Sequence, residues 1–174
     1  MPYTLSPTCQ IPHLADWYLA AFGPDYVGGF VEVGAYDGFT YSNTWGLAVA
    51  GWHGLYIEPV KANFEACVEN HKNHPNISVL NLCVGHGDAV LYTSGEYSTT
   101  NKNFMMRAID KWGVTYQEAV IVEKLTLDEI LFTHWQGNID LLVVDTEGTE
   151  MDVLQSLSIT DWRPRMAIVE AHEH

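Results

Sequence analysis

Apolar residues in this chain fall in short continuous runs separated by stretches with helical spacing. The runs are Gly29 to Gly34, Gly54 to Glu58, Ile77 to Val84, Ile139 to Asp145 and Met166 to Ala171. Each is short and bounded by glycine, proline or an acid, the pattern of a strand buried on both faces. Between them, Leu14, Trp17, Tyr18 and Ala21 recur at helical spacing over 13–22, closed by Gly23 and Pro24. A second helix is predicted over 40–50, with Thr40 and Ser42 as candidate N-caps. A third follows Pro59 with Val60, Phe64 and Val68 on one face. Thr126 and Glu129 form a capping-box pattern, and Met151, Leu154 and Leu157 mark a last helix. Ala89 to Thr93 and Ala119 to Leu125 read as shorter strands. Residues 94–116 are the least periodic, and 94–103 read as a mobile polar loop. Alternating buried strands and helices predict an α/β fold with a doubly wound, mostly parallel sheet. Ligands of such sheets bind beyond the carboxyl ends of the strands, near the point where strand order reverses.

The length of 174 residues suits one domain, with 1–12 (Pro2, Pro7 and Pro12) as an irregular arm. Charge narrows the partners. Eight Lys and Arg against 22 Asp and Glu leave a net charge of -14, which disfavours the basic face of a nucleic-acid binder. Cys9, Cys67 and Cys83 contain no Cys-x-x-Cys pair, so neither a disulfide framework nor a structural zinc site is expected, and a reducing, cytoplasmic compartment is. No apolar run approaches the roughly 18 residues of a membrane span, and no secretory leader is predicted.

Candidate chemistry gathers at the strand ends. Glu32, Gly34, Ala35, Tyr36, Asp37 and Gly38 close the first strand with a Gly-x-x-x-Gly turn. Glycine admits a ligand close to the backbone, and a tight structural turn is the alternative. Glu58, at the end of the second strand, is placed to accept ribose hydroxyls or to cap the helix that begins at Pro59. Asp145, Glu147 and Glu150 follow the fourth run. Such clustered like charges suit a metal, a polarised hydroxyl or a bound amino group, although Glu147 and Glu150 also favour a helix N-terminus. Glu170 and His172 share a face of the last strand. With Asp145 they offer a mixed oxygen and nitrogen metal site or a general base, against the alternative of a frayed terminus.

Three stretches resemble the FkbM family of S-adenosylmethionine-dependent methyltransferases: 30–38, 55–59 with Asn63 and Phe64, and 139–150 with its Asp145, Glu147, Gly148 and Glu150. The resemblance implies a Rossmann-like class I methyltransferase fold and O-methylation of a sugar or related hydroxyl compound. It implies that Glu32, Gly34 and Gly38 surround the amino-acid end of the cofactor, with Ala35, Tyr36, Asp37 and Ser42 alongside. Glu58 and Pro59 would lie at the ribose, Cys83, Val84 and Gly85 at the adenine, and Asp145 near the methyl group. Val143 and Val144 stand where many relatives carry a lysine. Many class I enzymes add an edge hairpin after the fifth core strand, whereas this sequence stops there. An uncovered apolar edge strand predicts a homodimer.

The expected reaction is direct displacement by an acceptor hydroxyl, a saccharide above all, with Asp145 as first candidate base and His172 as second. A divalent ion such as Mg²⁺ on Asp145, Glu147, Glu170 and His172 is the other way to acidify that hydroxyl. The loop from Ser94 to Phe104, with Tyr92, Tyr97 and Phe104, is expected to border the acceptor, although its aromatics could equally be core. Two rivals stand beside this reading. One is a non-catalytic cofactor-binding subunit that pairs with an active relative. The other is a nucleotide-sugar or NAD-dependent enzyme, disfavoured by the missing Gly-x-Gly-x-x-Gly.

Overall fold

A computed structural model describes residues 3–171. His172, predicted as a base and metal ligand, lies outside the described residues.

Five parallel strands form the central sheet: β1 (Gly29–Val33), β2 (His53–Ile57), β3 (Ile77–Leu80), β7 (Leu141–Val144) and β8 (Met166–Val169), in the order β3-β2-β1-β7-β8. Side-chain alternation splits the core into two clusters. Val31, Val33, Leu55, Ile57, Leu142 and Val144 point to one face, where Leu127, Ile130 and Leu131 of α5 (Leu127–His134) and Val153 of α6 (Glu150–Gln155) cover them. Phe30, Tyr56, Leu141 and Val143 point to the other, beneath α1 (Leu14–Phe22), α2 (Trp45–Val49) and Cys67 of α3 (Lys61–His71). Helices on both faces make this the doubly wound, Rossmann-like arrangement expected. Strand order reverses at β1, which lies between β2 and β7. A smaller sheet stands beside it: β4 (Cys83–Val84) pairs parallel to β6 (Glu118–Leu125), and β5 (Asp88–Thr93) pairs antiparallel to β6. Helices α4 (Lys102–Trp112) and α7 (Ile159–Trp162) complete the fold. Among the described residues no helix is long and apolar enough to cross a membrane.

The structure departs from the sequence reading where side chains compete with regular backbone bonding. Helix α2 starts at Trp45, not Thr40. The Asp37 carboxylate accepts the N–H groups of Phe39 and Thr40 at 2.9 and 2.6 Å, and Ser42 Oγ accepts those of Thr44 and Trp45. The predicted third strand over 77–84 is split. Asn81 Nδ2 donates to the carbonyls of Glu58 and Pro59, both at 2.9 Å, and Cys83 and Val84 then pair with Lys124 and Leu125 instead. On α3 the buried positions are Cys67 and His71, while Val68 is exposed. On α6 it is Val153 that is buried, and Met151 is exposed. The capping box at Thr126 and Glu129 is formed with both of its bonds.

Candidate active site

Two adjoining clefts open beyond the carboxyl ends of β1, β2 and β7, and they share Gly34, Tyr36, Glu96, Asp145 and Glu147. The first has apolar walls from Val33, Ile57, Leu82, Val84 and Leu91, with Glu58 and Asn63 at one side. The second is polar and reaches Glu32, Ser42, Tyr97, Trp112 and Glu170.

The turn after β1 shapes the wall common to both. Gly34 has φ 83, and a Cβ there would fall on the Asp145 carbonyl oxygen and 2.7 Å from its carbonyl carbon. The glycine therefore serves the close approach of two backbones as much as that of a ligand. At Gly38 a Cβ would meet Cys67 Sγ at 2.6 Å and His71 Nε2 at 2.7 Å. That second glycine of the motif seats the loop on α3. Asp37 turns away from the clefts as well, its carboxylate spent on the loop's own N–H groups.

Glu58 is buried at 4% exposure. Its Oε2 accepts the Tyr36 N–H at 2.9 Å, and its Oε1 accepts the Val60 N–H at 2.8 Å and Asn63 Nδ2 at 3.4 Å. The carboxylate thus holds the segment leading into α3, which begins at Lys61 rather than Pro59 and has no side-chain cap at its N-cap residue Val60. The carboxylate also faces the first cleft, where Oε2 keeps a second lone pair while Oε1 already accepts from both Val60 and Asn63. Burial pushes its pKa up to about 7, against the lowering effect of those hydrogen bonds.

Glu32 lies on the aromatic face of β1 and is buried at 3% exposure. The Thr44 hydroxyl donates to its Oε2, and the Tyr56 hydroxyl lies 2.8 Å from Thr44 Oγ1. Burial drives the Glu32 pKa up to about 8. The folded chain therefore holds a proton that the unfolded chain loses near 4.5, so stability falls as pH rises from there through about 8. Glu32→Gln removes that loss. At pH 8 the variant should melt several degrees above the parent, at about 2–4 °C per kcal/mol for a chain of this size. Near pH 4 the two should coincide, as thermal melts across this range would show.

The third group is carboxylic throughout. Asp145, Glu147 and Glu170 each place a carboxylate oxygen within 4.8 Å of the others. Burial, then repulsion from Glu170, Asp145, Glu150 and Glu96, pushes the Glu147 pKa up to about 9. Burial also raises Glu170, opposed by a hydrogen bond to the Asp145 side chain. Glu147 sits at φ 55 in a turn stapled by Glu150, whose Oε1 accepts the N–H groups of Thr146 and Gly148 at 3.0 and 2.9 Å. Glu150 is thus a structural acid of this motif.

Segment 94–101 is bound to this turn. Thr99 Oγ1 donates to the Glu147 carbonyl at 2.7 Å, and Asn101 Nδ2 to that of Gly148 at 2.6 Å. Tyr92 and Thr99 also exchange backbone bonds. Of the aromatics expected at the acceptor, Tyr97 lines the polar cleft, whereas Phe104 is buried in contact with Gly148. Tyr92 packs edge-on against Tyr116.

Every sequence-derived cofactor residue apart from Asp37, Gly38 and Gly85 lines one cleft or the other. Gly85 lines neither, and a Cβ there would press on Asp152. Sequence reasoning missed Asn63 as a partner of Glu58 and missed Trp112, and within the 94–104 loop it singled out neither Glu96 nor Thr99. Only the Asn63 position, one helical turn into α3, carried a readable signal.

No curated protein and no solved structure matches the chain. A model of the Methyltransferase FkbM domain matches residues 32–174. That span opens on Glu32 and takes in both clefts apart from Gln10 of the second, together with the carboxylates of both. The chain belongs to the FkbM methyltransferase family.

Proposed function

We propose that this methyltransferase uses S-adenosylmethionine to methylate an oxygen of a saccharide or related hydroxyl compound. The juxtaposition of two unlike clefts across Gly34 and Asp145 carries the reading. The residues fit the cofactor. Apolar side chains of the first cleft suit an adenine, and the Glu58 carboxylate suits ribose hydroxyls. Glu32, Ala35 and Ser42 lie on the far side of Gly34, where the amino-acid end would extend.

Held by Glu58 and the turn from Gly34 to Tyr36, the cofactor would supply an electrophilic methyl group, with a neutral thioether as leaving group, to the acceptor oxygen. The chain aligns the acceptor, excludes water and takes the hydroxyl proton. Asp145 faces both clefts and is the proposed proton acceptor.

A second reading rests on the three oxygen donors within 4.8 Å. This hard donor set suits Mg²⁺, held by Asp145, Glu147 and Glu170 and acting to acidify the acceptor hydroxyl. Turnover that survives a chelator supports the proton-acceptor reading; loss that Mg²⁺ restores supports the metal.

The first test is calorimetric titration with S-adenosylmethionine beside Glu58→Ala. Micromolar binding that the variant weakens by about tenfold or more supports the ribose assignment, since a hydrogen bond to a charged group contributes about 1.5–3 kcal/mol. Because Glu58 also holds the segment leading into α3, circular dichroism must show the variant folded. Absence of binding by the parent chain overturns the cofactor assignment.

A further inference from the structure

The first cleft lies between two sheets that share no strand pairing. One side comes from the ends of β1, β2 and β7. Leu82, Cys83, Val84 and Leu91, on the other, come from the smaller sheet and the residue that leads into it. Strand β4 is two residues long and pairs with β6 alone. Val84 packs into the core shared with the main sheet, but apolar contact is not directional. A polar joint adds direction. Lys124 Nζ of β6 donates to Asp152 Oδ2 of α6 at 2.7 Å, and His86 Nδ1 lies 3.1 Å from Asp152 Oδ1. The Lys124 side chain is only 7% exposed, whereas the basic side chain is at least 47% exposed in every other ion pair among the described residues. Burial opposes the ionisation of Asp152, but its bonds to Lys124 and His86 hold the carboxyl below the usual range.

The turn between β4 and β5 is fitted to that carboxylate. A Cβ on Gly85 would run into Asp152 Oδ2 and come within 3.0 Å of Lys124 Cδ. Gly85 N–H donates to the Leu125 carbonyl at 2.9 Å, and Lys124 N–H to that of Gly87 at 3.0 Å, so the turn moves with β6. Helix α6 begins at Glu150, whose side chain staples the turn that follows Asp145. Asp152 thus joins the wall of the cleft to the helix that carries the carboxylate turn.

We propose that Asp152 is a positioning residue for the cofactor, fixing the width of the first cleft by clamping Lys124 and His86 of the smaller sheet to α6. This rests on the S-adenosylmethionine reading of that cleft and adds a residue that lines neither cleft. Opening the joint leaves the Lys124 ammonium without its counter-charge in a poorly solvated place, so the joint resists opening more than an exposed pair would. The clamp and the nucleoside act on the same cleft, so each stabilises the other.

The experiment is calorimetric titration of the full chain with S-adenosylmethionine and with 5′-methylthioadenosine, which keeps the nucleoside and lacks the amino-acid end. Asp152→Asn should weaken both by the same factor, about fivefold or more, the lower end of ordinary coupling between sites. Lys124→Met opens the joint without leaving a buried cation and should weaken both ligands in the same way, so the test stands even where Asp152→Asn folds poorly. Asp152→Glu keeps the carboxylate on a side chain that is 32% exposed and has room for a methylene, and it should recover most of the affinity. Gly51→Ala, which lies outside both clefts, is the control for lost stability and should leave both affinities unchanged. A stoichiometry equal to the parent's separates weaker binding from loss of folded protein. Unchanged affinity in the folded Asp152→Asn or Lys124→Met variant overturns the proposal. So does a loss confined to S-adenosylmethionine, or one that Gly51→Ala or Asp152→Glu matches. A parent chain that binds neither compound overturns the cofactor reading itself, and the proposal with it.

Discussion

Asp145→Asn should lower methyl transfer about 10²- to 10⁴-fold, the usual contribution of a positioned general base. It should leave the affinity for S-adenosylmethionine within a few-fold. The substitution keeps the shape of the side chain and removes its capacity to take a proton. Asp145 N–H donates to the Val33 carbonyl at 2.9 Å through the backbone, so the strand register does not depend on the carboxylate. The relevant measurement is single-turnover formation of the demethylated cofactor, with binding followed separately. A fall in the chemical step at constant affinity supports the base assignment. Unchanged turnover refutes it, and an equal loss of binding places Asp145 on the cofactor instead.

Gly34→Ala should have the largest effect on stability. A left-handed backbone costs an L-residue roughly 1–2 kcal/mol, and the added methyl group would also fall on the Asp145 carbonyl. Gly51 separates the two contributions. Its φ of 87 is nearly the same, and a Cβ there meets nothing within 4 Å. Gly51→Ala should therefore lose only the conformational part. Gly34→Ala should lose more than about 4 kcal/mol, the range reserved for severe local conflict, and should fold poorly or not at all. Denaturant unfolding of both variants gives the comparison. Equal losses would mean that β1 and β7 shift apart cheaply and that the turn is less tightly built than its geometry shows.

The elements with strong local grammar were readable in advance. β1, β2 and β7 are continuous apolar runs because both of their faces are covered, and the Thr126 box announces α5 through two reciprocal bonds. Helix α4 was missed in the sequence. It was passed over although Phe104, Met105, Ala108, Ile109 and Trp112 trace one stripe at helical spacing, because the polar segment before it masked its start at Asn101. The break after Leu80 was hidden too, because it depends on Asn81 reaching back to the carbonyls of Glu58 and Pro59. In the site, the acids at strand ends were legible because strand periodicity places them. Glu96 and Trp112 were not, since they reach the cleft through the tertiary path of segment 94–112. Asp37 and Gly38 stood inside a recognisable motif yet serve the loop and α3, which only the packing reveals.

Asn63 Nδ2 lies 3.4 Å from both Glu58 Oε1 and the Gly95 carbonyl. The segment that begins at Gly95 is fastened at its other end to the Glu147–Gly148 turn. On the proposed function, a ribose hydroxyl that takes over Glu58 Oε1 would leave Asn63 bonded to the Gly95 carbonyl alone and so tighten the segment proposed to cover the acceptor. Coupling free energy is reciprocal: an acceptor that steadies the same cover strengthens the hold on the nucleoside by an equal factor. The two substrates of this protein would therefore bind cooperatively through one amide that neither of them needs to touch.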